Sequence, residues 1–229
     1  MLVKPRKATK TTVIFEKLRD DIISNRLRPG ERLPLSTLKE RYSVGGSPLR
    51  EALSRLAAQG LVDGEEQCGY RVSQLSVKEL RDLYTARETI ETRALELAIE
   101  QGDEVWESEV VAFFYRLNRY LDSHAQSQTI DPAEWEKRQR DFFCAIVRGS
   151  QSNWLIRMHD MLYDQSTRYR MLCLFKHYQD ARLLAVFIAD NQRLIDAITA
   201  RDKVKAQKIR HEAWLNNVKS ITEILDKME

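Results

Sequence analysis

The sequence is poor in residues that interrupt helices: eight glycines and five prolines in 229 positions argue against a turn-rich sheet fold and for long helices. Cysteine is scarce too. Cys68, Cys144 and Cys173 are odd in number and far apart, with no CxxC pair, which speaks against a disulfide framework or a cysteine-built zinc site and reads them as small apolar residues. No apolar run approaches the roughly 18 residues of a membrane span. Met1 to Lys7 is basic, but no apolar stretch follows it, so no signal peptide is expected; the chain is expected to be cytoplasmic, without a membrane partner. Enzyme motifs are missing as well: there is no nucleophile elbow, no HExxH, no phosphate-cradling glycine loop and no catalytic cysteine–histidine arrangement. No catalytic residue is assigned, and neither enzyme activity nor a cofactor is expected.

What is present is ordinary in bulk and uneven in distribution. Hydrophobic content of 43% and charged content of 31% suit a globular chain long enough for one large domain or two small ones. Residues 1–75 carry 14 Lys and Arg against 9 Asp and Glu, a balance of +5, whereas the remainder sums to −2. A basic front joined to a mildly acidic remainder suits a nucleic-acid-binding module attached to something else.

Val13, Ile14, Leu18, Ile22 and Ile23 recur at helical spacing and predict an amphipathic helix over Thr11 to Asn25, ended by the turn chemistry of Arg28-Pro29-Gly30. A short helix is expected from Leu35 to Tyr42, with Ser36 as its cap and Leu38 facing inward. Gly45-Gly46 is the turn. Ser47-Pro48 follow as cap and first-turn proline of a second helix, which sets Leu49, Leu53 and Leu56 on one side. Two helices this short across a turn this tight have helix-turn-helix geometry. Leu61-Val62-Asp63 and Tyr70-Arg71-Val72 read as strands around Gly64 and Gly69, forming a wing. Residues 72–78 are a linker, and beyond Ser76 helices are expected at about 76–101, 103–126, 131–149, 151–176, 179–200 and 202–228. The expected fold is therefore mainly α. A winged helix-turn-helix DNA-binding domain with a small β-wing spans 1–75. An all-helical effector-binding and dimerisation domain, a bundle of six to seven helices, spans 76–229.

The order Arg28-Pro29-Gly30-Glu31-Arg32-Leu33, Leu38-Lys39, Val44, Ser47-Pro48-Leu49-Arg50-Glu51-Ala52-Leu53, Leu56, Gly60-Leu61-Val62 and Gly69-Tyr70-Arg71-Val72 resembles the GntR family of winged-helix transcription regulators. Arg87-Glu88-Thr89-Ile90-Glu91, Phe143, Ile195-Asp196-Ala197-Ile198 and Asp202 are similar to the all-helical FCD effector domain of its FadR-like subfamily. Together the resemblance covers about residues 11 to 225. It implies a homodimer that binds a palindromic double-stranded DNA operator, most often as a repressor, and responds to a small metabolite in the helical domain. Symmetry points the same way, since two recognition helices reading half-sites on one DNA face need a two-fold axis.

A helix fits the major groove and its N-terminal residues reach base edges, which puts Ser47, Pro48 and Arg50 at the reading end. Arg50 is the expected guanine or phosphate contact, the alternative being a surface ion pair near Glu40 or Glu51. Ser36 and Lys39 are placed for phosphates, and the arm Lys4 to Lys10 adds non-specific attraction. Many relatives carry an arginine where this chain has Gly46. The wing tip holds Glu65 and Glu66, whose carboxylates repel phosphate, so the wing is expected either to stand off the DNA or to touch it only through Gly69 and Tyr70.

In the second domain, Leu80, Leu83, Tyr84, Arg87, Ile90, Glu91, Ala94, Leu97 and Ala98 fall on one helical stripe. Arg87 is therefore partly buried and needs a partner: a ligand carboxylate in a cavity between helices, or Glu91 one turn on. Relatives that hold a divalent metal there use positions that fall on Arg140, Cys144, Asn191 and Ala213, with His211 two residues out of register and about 200° round its helix. That set does not suit a metal, so none is expected, and His124, His159, His177 and His211 are read as surface residues. Arg140 and Asn191 face inward by spacing, and Arg168 and Arg170 lie on the neighbouring helix. The expected effector is a small carboxylate held by Arg87, Arg140 and Arg168, with Asn191 donating a hydrogen bond. Two alternatives stay open: a dimeric DNA-binding regulator with no small-molecule effector, and one that senses a fatty-acyl thioester in an apolar tunnel.

Overall fold

A computed structural model describes residues 9–65, 69–125, 130–177 and 181–227. Most of the basic arm, residues 4–8, lies outside the described residues, as do Glu66 and Cys68 and the side chains of Glu65, His124, Cys173 and His177. The chain divides into two compact units, Met1–Leu75 and Ser76–Glu229.

The first unit holds α1 (Lys10–Ile23), α2 (Leu35–Tyr42), α3 (Gly46–Ala58), β1 (Val62–Glu65) and β2 (Gly69–Val72). α1 starts at Thr9, whose hydroxyl accepts the Thr12 N–H at 3.2 Å, the usual way to satisfy an orphan donor at a helix start. Its apolar face, Ile14, Phe15, Leu18 and Ile22, buries against Leu49, Ala52, Leu53 and Leu56 of α3. Leu18, Ile22, Leu49, Leu53 and Leu56 are wholly removed from solvent, each contributing about 1.5–3 kcal/mol relative to exposure. The two expected caps are corrected here. α2 begins at Leu35 with Pro34 in the cap position, and α3 begins at Gly46 with Gly45 capping; neither end uses a side chain. Ser36, Ser47 and Pro48 instead sit in the first turns, where backbone N–H groups lack helical partners and a proline costs nothing.

β1 and β2 pair antiparallel, Val62 opposite Val72 and Glu65 opposite Gly69. The Gly30–Leu33 backbone lies along the other side of β2: Gly30 N–H donates to the Val72 carbonyl, Val72 N–H to Glu31, and Leu33 N–H to Tyr70, at 2.8–2.9 Å. Gly30 makes that turn with φ +75°, and a Cβ there would sit 2.3 Å from the Gln74 side chain; both features favour glycine.

Asp21 ties α1 to α2. Its carboxylate accepts from Tyr42 Oη at 2.5 Å, Arg26 Nε at 2.6 Å and Arg41 Nη2 at 3.1 Å. Burial alone would raise this carboxyl, but the hydrogen bonds from Tyr42 and Arg26 and the charges of Arg26 and Arg41 bring it below its ordinary value. A depressed carboxyl stabilises the fold above its unfolded value, near pH 3.9, and that stabilisation is lost as pH falls through the folded value. Asp21→Asn is therefore expected to cost about 1.5–3 kcal/mol at pH 7, with the gap to the parent closing toward pH 3. Denaturant melts of the full chain across that range check it, and a gap independent of pH would contradict the clamp.

The second unit contains, among the described residues, α4 (Val77–Gln101), α5 (Glu104–Ala125), α6 (Pro132–Arg148), α7 (Asn153–His177), α8 (Ala181–Thr199) and α9 (Lys203–Leu225). Ser76, Asp131 and Asp202 cap α4, α6 and α9 by accepting backbone N–H groups at 3.0–3.1 Å, and Pro132 opens α6 as its fixed φ favours. α4 packs on α7 and α9, α5 on α6, and α8 on α9. One apolar core, including Leu95, Ala98, Leu117, Phe142, Ile198 and Ala206, runs through the bundle. α7 is the central element: all of Ser166, Thr167, Arg168, Tyr169 and Arg170 are buried. No helix of the described residues is long and apolar enough to cross a membrane.

Candidate functional site

The first unit presents one polar face. Ser36 and Lys39 of α2 and Ser47 and Arg50 of α3 are exposed, and Pro48 is half-buried. Arg50 makes no ion pair among the described residues; its neighbour Glu51 accepts from the Thr11 hydroxyl at 3.2 Å. Further along α3, Arg55 lies over the Phe15 ring at 4.1 Å and is thus committed within the unit. Lys39 folds across the turn: a Cβ on Gly46 would sit 3.1 Å from its Cε and 3.3 Å from its Nζ. An ammonium and a helix N-terminus converge there, and both favour an anion such as a phosphate. Gly69 is exposed with φ +97°, while Tyr70 is half-buried and packs on the core, giving only part of its ring to the surface.

The second unit has a partly open cavity of about 380 Å³ between α4, α6, α7, α8 and α9. Its charged wall is built from Arg87, Arg170 and Arg210. Arg87 donates to Glu91 Oε1 through Nε at 3.0 Å and Nη2 at 2.6 Å, and to Ser166 Oγ at 2.9 Å. Arg210 Nη2 donates to the other oxygen of Glu91 at 3.0 Å. Arg170 donates to Glu136 Oε1 and to Ser166 Oγ, both at 2.5 Å, with its guanidinium 4.1 Å from the Tyr163 ring centroid. Ser166 thus joins two buried ion pairs into one network.

Burial opposes the charge on Glu91, yet Arg87, His159 and Arg210 hold its carboxyl well below the carboxylate range. Burial also opposes Arg170, and Glu136 more than offsets it, so that its value rises. For Arg210 the balance goes the other way: burial draws it down and the shared Glu91 does not fully restore it. Three guanidiniums face two carboxylates within this network, while Asp190, Lys219 and Glu223 also line the cavity and offset its charge. Around it, Asn191 Nδ2, Trp214 Nε1 and the Tyr163 hydroxyl are buried without a hydrogen-bond partner among the described residues.

Of the four residues expected to hold an effector, Arg87 and Asn191 line this cavity and Arg140 and Arg168 do not. Arg140 turns to Asp164, with Asp160 at 3.8 Å. Arg168 is 1% exposed on a different side of α7. Arg170 and Arg210 take those places. Arg170 shares a face with Tyr163, Ser166 and Thr167 at i, i+3, i+4 and i+7 spacing, the pattern that marks it in the sequence. His159 is not the expected surface residue: it is 1% exposed, its Nδ1 3.3 Å from Glu91 Oε1. His211, as expected, is exposed, its Nδ1 2.5 Å from Glu88 Oε1. The four positions onto which the resemblance places a metal are not brought together: Asn191 and Ala213 line the cavity, whereas Arg140 and Cys144 do not. They do not form a ligand set.

The comparisons with known proteins agree with both units. Residues 10–72 match the model of "Bacterial regulatory proteins, gntR family" and residues 82–213 that of the FCD domain. The chain is 35% identical to the HTH-type transcriptional repressor GlaR of Escherichia coli, over 92% of this chain and 95% of that one. It is 36% identical to the uncharacterized HTH-type transcriptional regulator BphR of Paraburkholderia xenovorans, over 85% and 78% respectively. In fold it is similar to E. coli McbR/YncC, with a TM-score of 0.75 at 21% identity covering 95% of this chain and 99% of that one. The basic face around Arg50, the FCD bundle behind it in sequence and these relatives lead to one assignment: the chain belongs to the GntR family of bacterial DNA-binding transcription regulators, and is not an enzyme.

Proposed function

We propose that the chain is a homodimeric, cytoplasmic repressor whose operator affinity is set by a small carboxylate bound in the cavity of its helical unit. Residues 1–75 read the operator through Ser47, Pro48 and Arg50, with Ser36, Lys39 and the wing residues Gly69 and Tyr70 supporting the docked position. Residues 76–229 carry the effector site and the dimer contacts. The observation that carries the effector reading is the gathering of three guanidiniums, Arg87, Arg170 and Arg210, on the wall of one cavity, two of them sharing the single carboxylate of Glu91. A guanidinium that shares its counterion can pair a ligand carboxylate. Asn191 and Trp214 line the same space and each carries a buried donor without a partner among the described residues, which suits the remaining carboxylate or carbonyl oxygens. The repressor assignment follows the 35% identical E. coli relative, itself named a repressor.

Calorimetry of the full chain with a panel of mono- and dicarboxylates tests the reading. A binder is expected, it should raise the melting temperature as RT ln(1 + [L]/Kd) requires, and it should shift operator binding in a band-shift assay. Arg87→Ala and Asn191→Leu should each weaken it. A binder held as tightly by Arg87→Ala as by the parent would place the pocket elsewhere, and a panel with no binder would leave the helical unit an assembly domain.

A further inference from the structure

We propose a separate site, for a zinc-class divalent cation, where Cys144 of α6 meets His159 and Asp160 of α7. The three ligand atoms lie within 4.8 Å of one another: Cys144 Sγ is 3.8 Å from His159 Nε2 and 3.4 Å from Asp160 Oδ1. A tetrahedral zinc with Zn–S of about 2.3 Å and Zn–N or Zn–O of about 2.0–2.1 Å sets neighbouring ligand atoms about 3.5 Å apart. The two Cys144 spacings fall on either side of that figure and the third is within 4.8 Å, so one cation reaches all three atoms as the His159 and Asp160 side chains close on it.

The imidazole lies between this site and Glu91. Its Nδ1 is 3.3 Å from Glu91 Oε1 and makes no hydrogen bond among the described residues, and Glu91 is itself fixed by Arg87 and Arg210. A carboxylate behind one ring nitrogen leaves the other free to ligate, the arrangement found behind most metal-bound histidines. Asp160 has 45% of its side chain exposed, giving the cation a way in and a solvent molecule the fourth position. Charge also balances, since a thiolate and a carboxylate match a dication; Arg140 pairs mainly with Asp164 and lies 3.8 Å from Asp160 Oδ1, a contact the cation would replace.

Without a cation, the Cys144 thiol donates to Asp160; burial first, then that carboxylate, push it up to about 12 against the pull of Arg140. On binding, the S–H bond breaks, an S–metal bond forms and the proton leaves to solvent, with no change of oxidation state. A thiolate, an imidazole and one carboxylate favour zinc over magnesium or calcium.

Cobalt(II) added to the full chain is the probe. We expect one equivalent bound with thiolate-to-cobalt charge-transfer absorption, displaced by zinc. Cys144→Ala should abolish that absorption and Asp160→Asn should weaken binding on the order of tenfold or more. Cys68→Ala and Cys173→Ala should leave it unchanged. Circular dichroism confirms that each variant stays helical, which the partial exposure of Cys144 and Asp160 permits. Absence of the band, its survival in Cys144→Ala, its loss in Cys68→Ala or Cys173→Ala, or parental affinity in Asp160→Asn overturns the site.

Discussion

Arg50→Ala is expected to weaken operator binding by about 1–3 kcal/mol, roughly five- to 150-fold, and to relax the preference at one base position. The basis is geometric: Arg50 stands exposed in the second turn of α3, and no ion pair of the described residues holds it. Since it supports nothing within the fold, stability should change by less than about 0.5 kcal/mol. Lys39→Ala makes the contrast. Without the Lys39 ammonium beside a phosphate, affinity should fall for all sequences alike and the salt slope should drop by about one. Fluorescence anisotropy on a DNA fragment enriched in vitro for binding to the full chain, repeated across salt concentrations, separates the two. Equal affinity of Arg50→Ala and the parent for that fragment would remove Arg50 from the interface.

Glu91→Ala should be strongly destabilising, costing about 3–5 kcal/mol. The carboxylate serves Arg87 through one oxygen and Arg210 through the other, with His159 beside it, so its removal strands two guanidiniums in a bundle interior. At roughly 2–4 °C per kcal/mol for a chain of this size, the melting temperature should fall by about 6–20 °C. Glu88→Ala, three residues earlier and paired with the exposed His211, is the control and should cost no more than about 1 kcal/mol. A small loss for Glu91→Ala, comparable to the control, would mean that water or another anion satisfies the guanidiniums.

Much of this architecture is legible in the amino-acid order because most helices have one dry face. The stripe from Leu80 to Ala98 locates α4 and turns Arg87 inward, although its members Leu83, Ile90 and Leu97 are only half-buried, and the apolar spacing in α1 and α3 does the same for the first unit. Caps are less legible. Serine at 36 and 47 has the right chemistry for a helix start, but Pro34 and Gly45 provide the extended backbone that starts α2 and α3. The main failure lies on α7. Residues two apart point about 200° apart, so Arg168 and Arg170 cannot both reach the cavity, and periodicity chooses between them only when one face is wet. Neither is, because α7 is buried on all sides here. Arg210 is hidden in the sequence for a related reason: its partner, Glu91, lies 119 residues away, a pairing that only the packing of α4 against α9 creates. The same holds for His159, whose burial depends on neighbours from α4 and α6.

The turn between α2 and α3 bears on how such a regulator can diverge. What fills the space beside Gly46 is the flexible end of Lys39, which can swing away at little cost, and the helix backbone there is not in the left-handed region. A single codon change at position 46 can therefore add a long side chain to the reading edge without disturbing the apolar core beneath it. Operator preference and fold stability are separable at this point of the chain, which leaves new target sequences accessible in one mutational step.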